Sequence, residues 1–472
     1  MAANELTKLS IAEAGEQIRR RSISPVELTR AYLDRIAARD SESRCYITIL
    51  REEALAVAAG LEKEVCDGHY RGPLHGIPIG LKDLIMTRGI RTTCGSRILK
   101  DWIPEADATV ATRLFKAGAV LLGKLNLHEF AYGPTGVNPH YGTAQNPWGR
   151  DRMPGGSSSG SGGGVAAGLC AGALGTDTGG SVRIPASLCG IVGLKPTYGR
   201  VSRAGVVPLA WSLDHVGPMT RTVADAAILL QTLAGQDPAD PSTAAVPVPD
   251  YRAGMAGDVR GLRVGIVREL FFDRLDPDVR AAVEAAARAL EGLGARVEEV
   301  RLPRIHHATP AVFAIISAES MAYHEPYLKT RASEYGADVR ARLLTGQFVL
   351  ATQYLKAQRA RQVVRAEVDG ALRQVDALLT PTTPIPAPRT DEREATVEGV
   401  REDVRGWLTR CTRPINLTGN PALSVPCGLT RDGLPIGLQL VGRQFDEATL
   451  LRLGQAYEAV SPFRDHRPPL AG

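Results

Sequence analysis

Residues 155–164 read Gly-Gly-Ser-Ser-Ser-Gly-Ser-Gly-Gly-Gly, ten positions filled by two residue types. Taken alone, such composition describes a flexible tether. Here the apolar segment Val165–Leu174 follows without a polar spacer, so the stretch is anchored in a core and the chain must fold around it. Three familiar glycine motifs fail on their own requirements. A phosphate loop needs G-x-x-x-x-G-K-[ST], and no lysine follows. The run from Gly162 to Ala167 matches a dinucleotide fingerprint only loosely. Gly156–Gly160 satisfies G-x-S-x-G, but a nucleophile elbow is entered from a strand, and Arg150–Pro154 does not have the pattern of one.

A second cluster, Gly175-Thr-Asp-Thr-Gly-Gly-Ser-Val-Arg-Ile-Pro185, carries more chemistry. Two glycines directly before Ser181 let the backbone approach a ligand, and consecutive N–H groups can converge on one point as an anion-binding nest. A tetrahedral oxyanion is the kind of group such a nest holds.

The rest of the chain has α/β grammar. Ser10 with Glu13, and Ser24 with Glu27 behind Pro25, are two helix-start signals. Short apolar runs follow at Gly76–Asp83 and Ala119–Leu122, with a helical stretch near Ala108–Ala117. Residues 262–267, 279–290 and 295–300 give strand, helix and strand, and Ala422–Cys427 with Ile436–Val441 flank a turn at Asp432-Gly433. Parallel units plus a hairpin predict a mixed sheet. Residues 235–257, rich in proline, are expected to form a surface loop, and Pro381–Pro386 a stiff loop leaving a strand end.

Composition closes several other avenues. Hydrophobic residues at 44% and charged residues at 23% suit a folded chain. The net charge of +5, with no block of like charges, makes nucleic acid an unexpected partner. Seven scattered cysteines without a C-x-x-C read as reduced thiols, and no His/Cys/acid grouping has metal-ligand spacing, His306-His307 included. No metal or cofactor is implied. The apolar run Gly162–Gly175 is too short to span a bilayer, so no membrane role and a cytoplasmic location are expected.

The stretch Gly155–Thr197, continuing to Gly199, resembles the amidase signature family. So do Gly76–Leu84 around Lys82, Asn416–Gly428 and Gly433–Gly442, in the same order along nearly the whole chain. The resemblance implies one amidase domain over residues 1–472, with an N-terminal helical region over 1–70 and a large mixed β-sheet flanked by helices. It also implies a catalytic set of Lys82, Ser157 in a cis peptide bond and the nucleophile Ser181. The residues agree on what each must do. A serine hydroxyl needs a base, no histidine lies in these motifs, and a lysine desolvated enough to be neutral can replace it. Backbone N–H groups of Thr178, Gly179, Gly180 and Ser181 are the expected oxyanion donors. By the same resemblance Asp177 and Arg183 form a charged pair supporting the nucleophile.

Substrate choice falls to pocket residues, with Ala131, Tyr132, Gly133 and Thr178 as candidates; Ala308–Tyr327 is a further candidate wall, although its Phe313, Ile315 and Ile316 read rather as plain helix core. One member type is the glutamine-hydrolysing A subunit of a tRNA-dependent glutamyl/aspartyl amidotransferase, which passes ammonia to a partner. Lys356–Arg361 is similar to the same stretch of that protein, and Arg361 could meet a substrate carboxylate. Two departures favour a stand-alone enzyme instead: Ala131-Tyr-Gly-Pro-Thr-Gly-Val-Asn138 replaces a Met-Gly-Ser-Ser-like run, and Thr409 stands where an acidic residue is usual. The expectation is therefore a monomeric or homodimeric serine hydrolase of small amides, with carbamates or esters as further substrates, and the amidotransferase component is the alternative.

Overall fold

The computed structural model describes residues 3–464 and 466–469; residues 1, 2, 465 and 470–472, the ends of the expected domain among them, lie outside the described residues. Both helix-start signals work as expected. Ser10 and Ser24 accept from the backbone N–H of Glu13 and Glu27, whose carboxylates accept in return from the serine N–H groups. They open helices Ile11–Arg19 and Pro25–Ser43.

Thirteen strands follow among the described residues: β1 (Tyr46–Ile49), β2 (Pro78–Lys82), β3 (Val120–Leu125), β4 (Gly172–Thr176), β5 (Val192–Lys195), β6 (Val216–Thr220), β7 (Arg263–Val267), β8 (Arg296–Val300), β9 (Ala377–Pro381), β10 (Glu394–Val397), β11 (Val400–Asp403), β12 (Ala422–Leu429) and β13 (Pro435–Gly442). Eleven form one sheet in the order β1-β3-β2-β4-β6-β5-β12-β13-β9-β7-β8, and β10 pairs with β11 in a separate hairpin. The sheet is mixed. β2 runs parallel to β3 and β4, and β7 parallel to β8 and β9, while the centre from β4 through β6, β5, β12 and β13 to β9 is antiparallel. Strands β2 to β6 and β9 are buried along their whole length, as expected of a sheet with helices on both faces.

Most of the glycine-serine stretch is helical: Ser159–Ala166 forms a buried helix packed against β2, β3, β4 and β6. Glycine weakens a helix by about 1 kcal/mol per residue relative to alanine, so close approach has to compensate. A Cβ on Gly160 would lie 2.5 Å from the Asn126 amide nitrogen and still nearer the Cys45 carbonyl oxygen. Bare backbone is what fits there.

Two sequence expectations change in detail. Up to residue 70 the described residues hold four helices joined by turns and, against the expectation of helix alone, β1, which pairs antiparallel with β3 at the sheet edge. The segment 235–257 is not loop throughout, since it contains the short helix Tyr251–Gly254; residues 235–250 contain neither helix nor strand but are pinned down. Asp237 accepts from Ser202 and Thr109, and Arg200 donates to the carbonyls of Val246 and Pro247.

Candidate active site

Lys82 is the last residue of β2, at the centre of the sheet's parallel portion, and is fully buried. Its parallel neighbour β4, in register through Leu81 and Leu174, ends two residues later at Thr176. The turn leading into the glycine-rich helix supplies Ser157 and Ser158 from the other side. The Lys82 amine therefore meets three hydroxyls, Ser157 Oγ at 2.7 Å, Thr176 Oγ1 at 2.8 Å and Ser158 Oγ at 2.9 Å. Burial pushes this amine down from 10.5 to about 7, against the upward pull of Asp177 and Asp214. The Gly156–Ser157 peptide is cis, and the Ser157 carbonyl accepts from the His128 N–H at 3.0 Å.

Beyond β4 the chain turns through Asp177–Ser181. Asp177 organises this loop from below. Its carboxylate accepts from the Gly180 N–H at 2.8 Å, the Val182 N–H at 3.2 Å, Asn416 Nδ2 at 2.8 Å and the Arg183 guanidinium at 2.9 and 3.0 Å. Burial alone would raise its pKa, but the Arg183 charge and these donors hold it well below the usual carboxylate range. Arg183 is equally buried and donates onward to Gln439 on β13 and to Asn416. With Gly180 committed to Asp177, the N–H groups of Thr178, Gly179 and Ser181 have no acceptor among the described residues. The expected donor set of four thus narrows to three, because the carboxylate that shapes the loop occupies the fourth. Gly180 itself has φ +127°, and a Cβ there would run into Thr412.

A cavity of about 250 Å³ adjoins this loop, lined by Thr176, Thr178, Ala131 and Asp214, the 203–211 segment, and Ala239 and Asp240 of the pinned 235–250 segment. Asp214 caps the segment by accepting from the N–H groups of Leu209 and Ala210 and from the Thr178 hydroxyl; burial raises its pKa to about 6.

Residues 27–451 match the family model described as Amidase. The chain belongs to the amidase family.

Members of the amidase signature family are hydrolases acting on C–N bonds, and the large mixed sheet matches theirs. A protein of Roseiflexus sp. (strain RS-1), described as the A subunit of glutamyl-tRNA(Gln) amidotransferase, is 45% identical, over 98% of this chain and 99% of its own. Among solved structures, one reported as a vestigial protein complex that reveals the origins of an s-triazine catabolic enzyme superposes with a TM-score of 0.93 at 36% identity, covering 96% of this chain and 98% of the other. The A subunit of the Thermotoga maritima glutamyl-tRNA(Gln) amidotransferase gives 0.78 at 36% identity, over 98% and 95%.

These likenesses correct two expectations. A stand-alone hydrolase of small amides, carbamates or esters rested on two short departures, at Ala131–Asn138 and Thr409, whereas the match to amidotransferase A subunits runs end to end. The partner expectation falls with it, because these relatives are named for a tRNA substrate and as one component of an assembly. Net charge reports only on what a chain's own surface attracts, and so is silent about nucleic acid held by another polypeptide.

Among the pocket candidates, Ala131 lines the cavity, whereas Tyr132 and Gly133 do not. Tyr132 lies beneath the Arg342 guanidinium, 5.3 Å away, and Gly133 packs against the His128 ring. In the helix Ala308–Arg331, Ile315 and Ile316 are core and Phe313 is exposed. The sequence reading missed Ser158 and Thr176 as partners of Lys82, and Asp214 as a cavity wall. It also missed two further buried lysines: Lys124, bonded to Ile85, Thr87 and Thr92 near Asp83, and Lys195, beside His215 and the Asn420 carbonyl. Position along a strand was the signal available, since Lys82, Lys124 and Lys195 all lie at or near the ends of fully buried strands. Among the described residues no helix is long and apolar enough to cross a membrane.

Proposed function

We propose that this chain is the glutamine-hydrolysing component of a tRNA-dependent amidotransferase, with Ser181 as nucleophile, Ser157 as proton relay and Lys82 as base. The observation that carries the reading is the 45% identity, end to end, to an amidotransferase component of that kind; the buried contact of Lys82 with Ser157 supports the chemistry. In the proposed cycle the Ser181 Oγ attacks the carboxamide carbon while its proton passes through Ser157 to neutral Lys82. The N–H groups of Thr178, Gly179 and Ser181 receive the oxyanion, where loss of one donor typically costs about 10²–10³ in rate. Collapse breaks the C–N bond, and a proton returned through Ser157 converts the leaving group to ammonia. Water then attacks the acyl-enzyme by the same relay, releasing glutamate and restoring the serine. The ammonia is consumed by a partner that holds the aminoacyl-tRNA.

Ammonia release from glutamine, measured on the chain together with whatever subunits co-purify with it, tests this. Wild-type protein is expected to turn glutamine over, and Ser181→Ala to lose at least about a thousandfold. A Ser181→Ala variant with undiminished rate, or an intact assembly inert toward glutamine, refutes the proposal.

A further inference from the structure

The connection between the helices Ala337–Thr345 and Ala351–Gln374 is built against the usual chemistry of a turn. Polar residues and glycine dominate such positions, yet this one reads Gly346-Gln-Phe-Val-Leu350. Leu350 stands at the start of the second helix, where a side chain that accepts from the backbone is favoured. Phe348 is 79% exposed, Leu350 63% and Leu355 61%, the three highest values for large hydrophobic side chains among the described residues. Phe348 and Val349 line a groove of about 650 Å³ together with Phe313, Ala314, Ala357 and Ala360. Its aromatic rings supply apolar area, and its alanines leave room for another backbone to come close. An exposed apolar patch of this kind marks an interaction site.

Charge decides what fits. No carboxylate lines the groove among the described residues, whereas Lys356 does. Arg359 follows three residues later on the same face of the helix and is exposed with it. Neither cation has an ion pair among the described residues, and neither has an acidic residue three or four positions away. A second copy of this chain, paired about a twofold axis, would set the patch against itself and bring these cations into a surface that already repels them. A groove also takes a ridge rather than the flat surface of a lipid layer.

We infer that the groove between the helices Ala308–Arg331 and Ala351–Gln374 seats an amphipathic helix of a different polypeptide, its apolar stripe on Phe313, Phe348 and Val349 and its acidic flank on Lys356 and Arg359. This goes beyond the glutaminase reading and does not rest on it, because the groove includes none of Lys82, Ser157 and Ser181. Its test reads no ammonia, so either can fail alone.

Two labelled helical peptides of about 20 residues, with the same leucine stripe but flanked by glutamate in one and by lysine in the other, are titrated into the full chain and followed by fluorescence anisotropy. The glutamate peptide is expected to bind about tenfold more tightly at low salt and to lose that preference at high salt. Phe348→Ser combined with Leu350→Ser should weaken it by at least about tenfold, and Lys356→Glu combined with Arg359→Glu should turn the preference toward the lysine peptide. All four side chains are exposed, and an unchanged thermal melt shows that each variant folds. In the assembly formed with co-purifying subunits, zero-length carbodiimide coupling is expected to join the Lys356 amine to a carboxylate of another polypeptide. Equal affinity for the two peptides, a preference unmoved by charge reversal, or Lys356 coupled only to a second copy of this chain overturns the inference. So does a concentration-dependent dimer that Phe348→Ser dissolves in sedimentation, or Phe348-dependent binding to phosphatidylcholine–phosphatidylglycerol vesicles when neither peptide binds.

Discussion

At the scale of single residues, the proposed cycle turns on how many protons Lys82 carries. An ammonium has three N–H groups for the three hydroxyl oxygens around it; a neutral amine has two and a lone pair, so one hydroxyl must reverse and donate. Ser158 already directs its hydroxyl to the Thr176 carbonyl, whereas the hydroxyls of Ser157 and Thr176 have no acceptor of their own among the described residues. Either of these two can turn, and in the proposed cycle the relay requires it of Ser157. Because the base must be neutral to act, kcat/KM for glutamine is expected to rise with pH through an apparent pKa of about 7, and this limb should vanish from the residual activity of Lys82→Met. Stability should respond too. Between about 7 and 10.5 the unfolded chain holds a proton on Lys82 that the folded chain has released, so unfolding free energy rises with pH across that window and is flat for this group below it. In Lys82→Met the rise should be smaller, with a higher Tm near pH 7; denaturant melts at pH 7 and pH 10 check this, and identical slopes in both proteins would contradict it.

Among the elements, the glycine helix is the most exacting. Gly160→Ala should destabilise by more than about 2 kcal/mol, because its methyl meets backbone atoms of Cys45 and Asn126 that cannot yield. Gly164→Ala, on the same helix but with its nearest neighbours at 3.6 to 3.8 Å, should instead stabilise by about 0.5–1 kcal/mol. Urea melts of the two variants give the comparison, and like-signed effects would show that packing is not what sets these glycines. Local signals were legible in the sequence wherever the physics is local. The capping boxes at Ser10 and Ser24 and the 262–300 strand-helix-strand unit follow from spacing alone. The helical state of 159–166 was not, because composition there argues against a helix and only contact with β3 and Cys45 reverses the preference. Lys82, Ser157 and Ser181 were reached through family resemblance; Thr176 and Ser158 depend on the parallel register of β2 and β4, which no short motif encodes.

For the molecule as a whole, the Asp177–Arg183 pair joins parts of the chain that are far apart in sequence, reaching Asn416 and Gln439. Arg183→Met leaves Asp177 buried with its main counter-charge gone and should cost about 3–5 kcal/mol, read as a lowered urea midpoint with an unchanged m-value; a loss under 1 kcal/mol would mean that Asn416 and the loop N–H groups suffice. The sheet has the same long reach, since β5 pairs with β12 and β9 with β13. A ribosome adds about 5–20 residues per second, and 256 positions separate Arg183 from Gln439. For roughly 10–50 s of synthesis the nucleophile loop therefore exists without the strand that braces it. A chain stopped before β13 carries Lys82, Ser157 and Ser181 but not the Gln439 to which Arg183 donates, so the loop at 177–181 is then held from one side only.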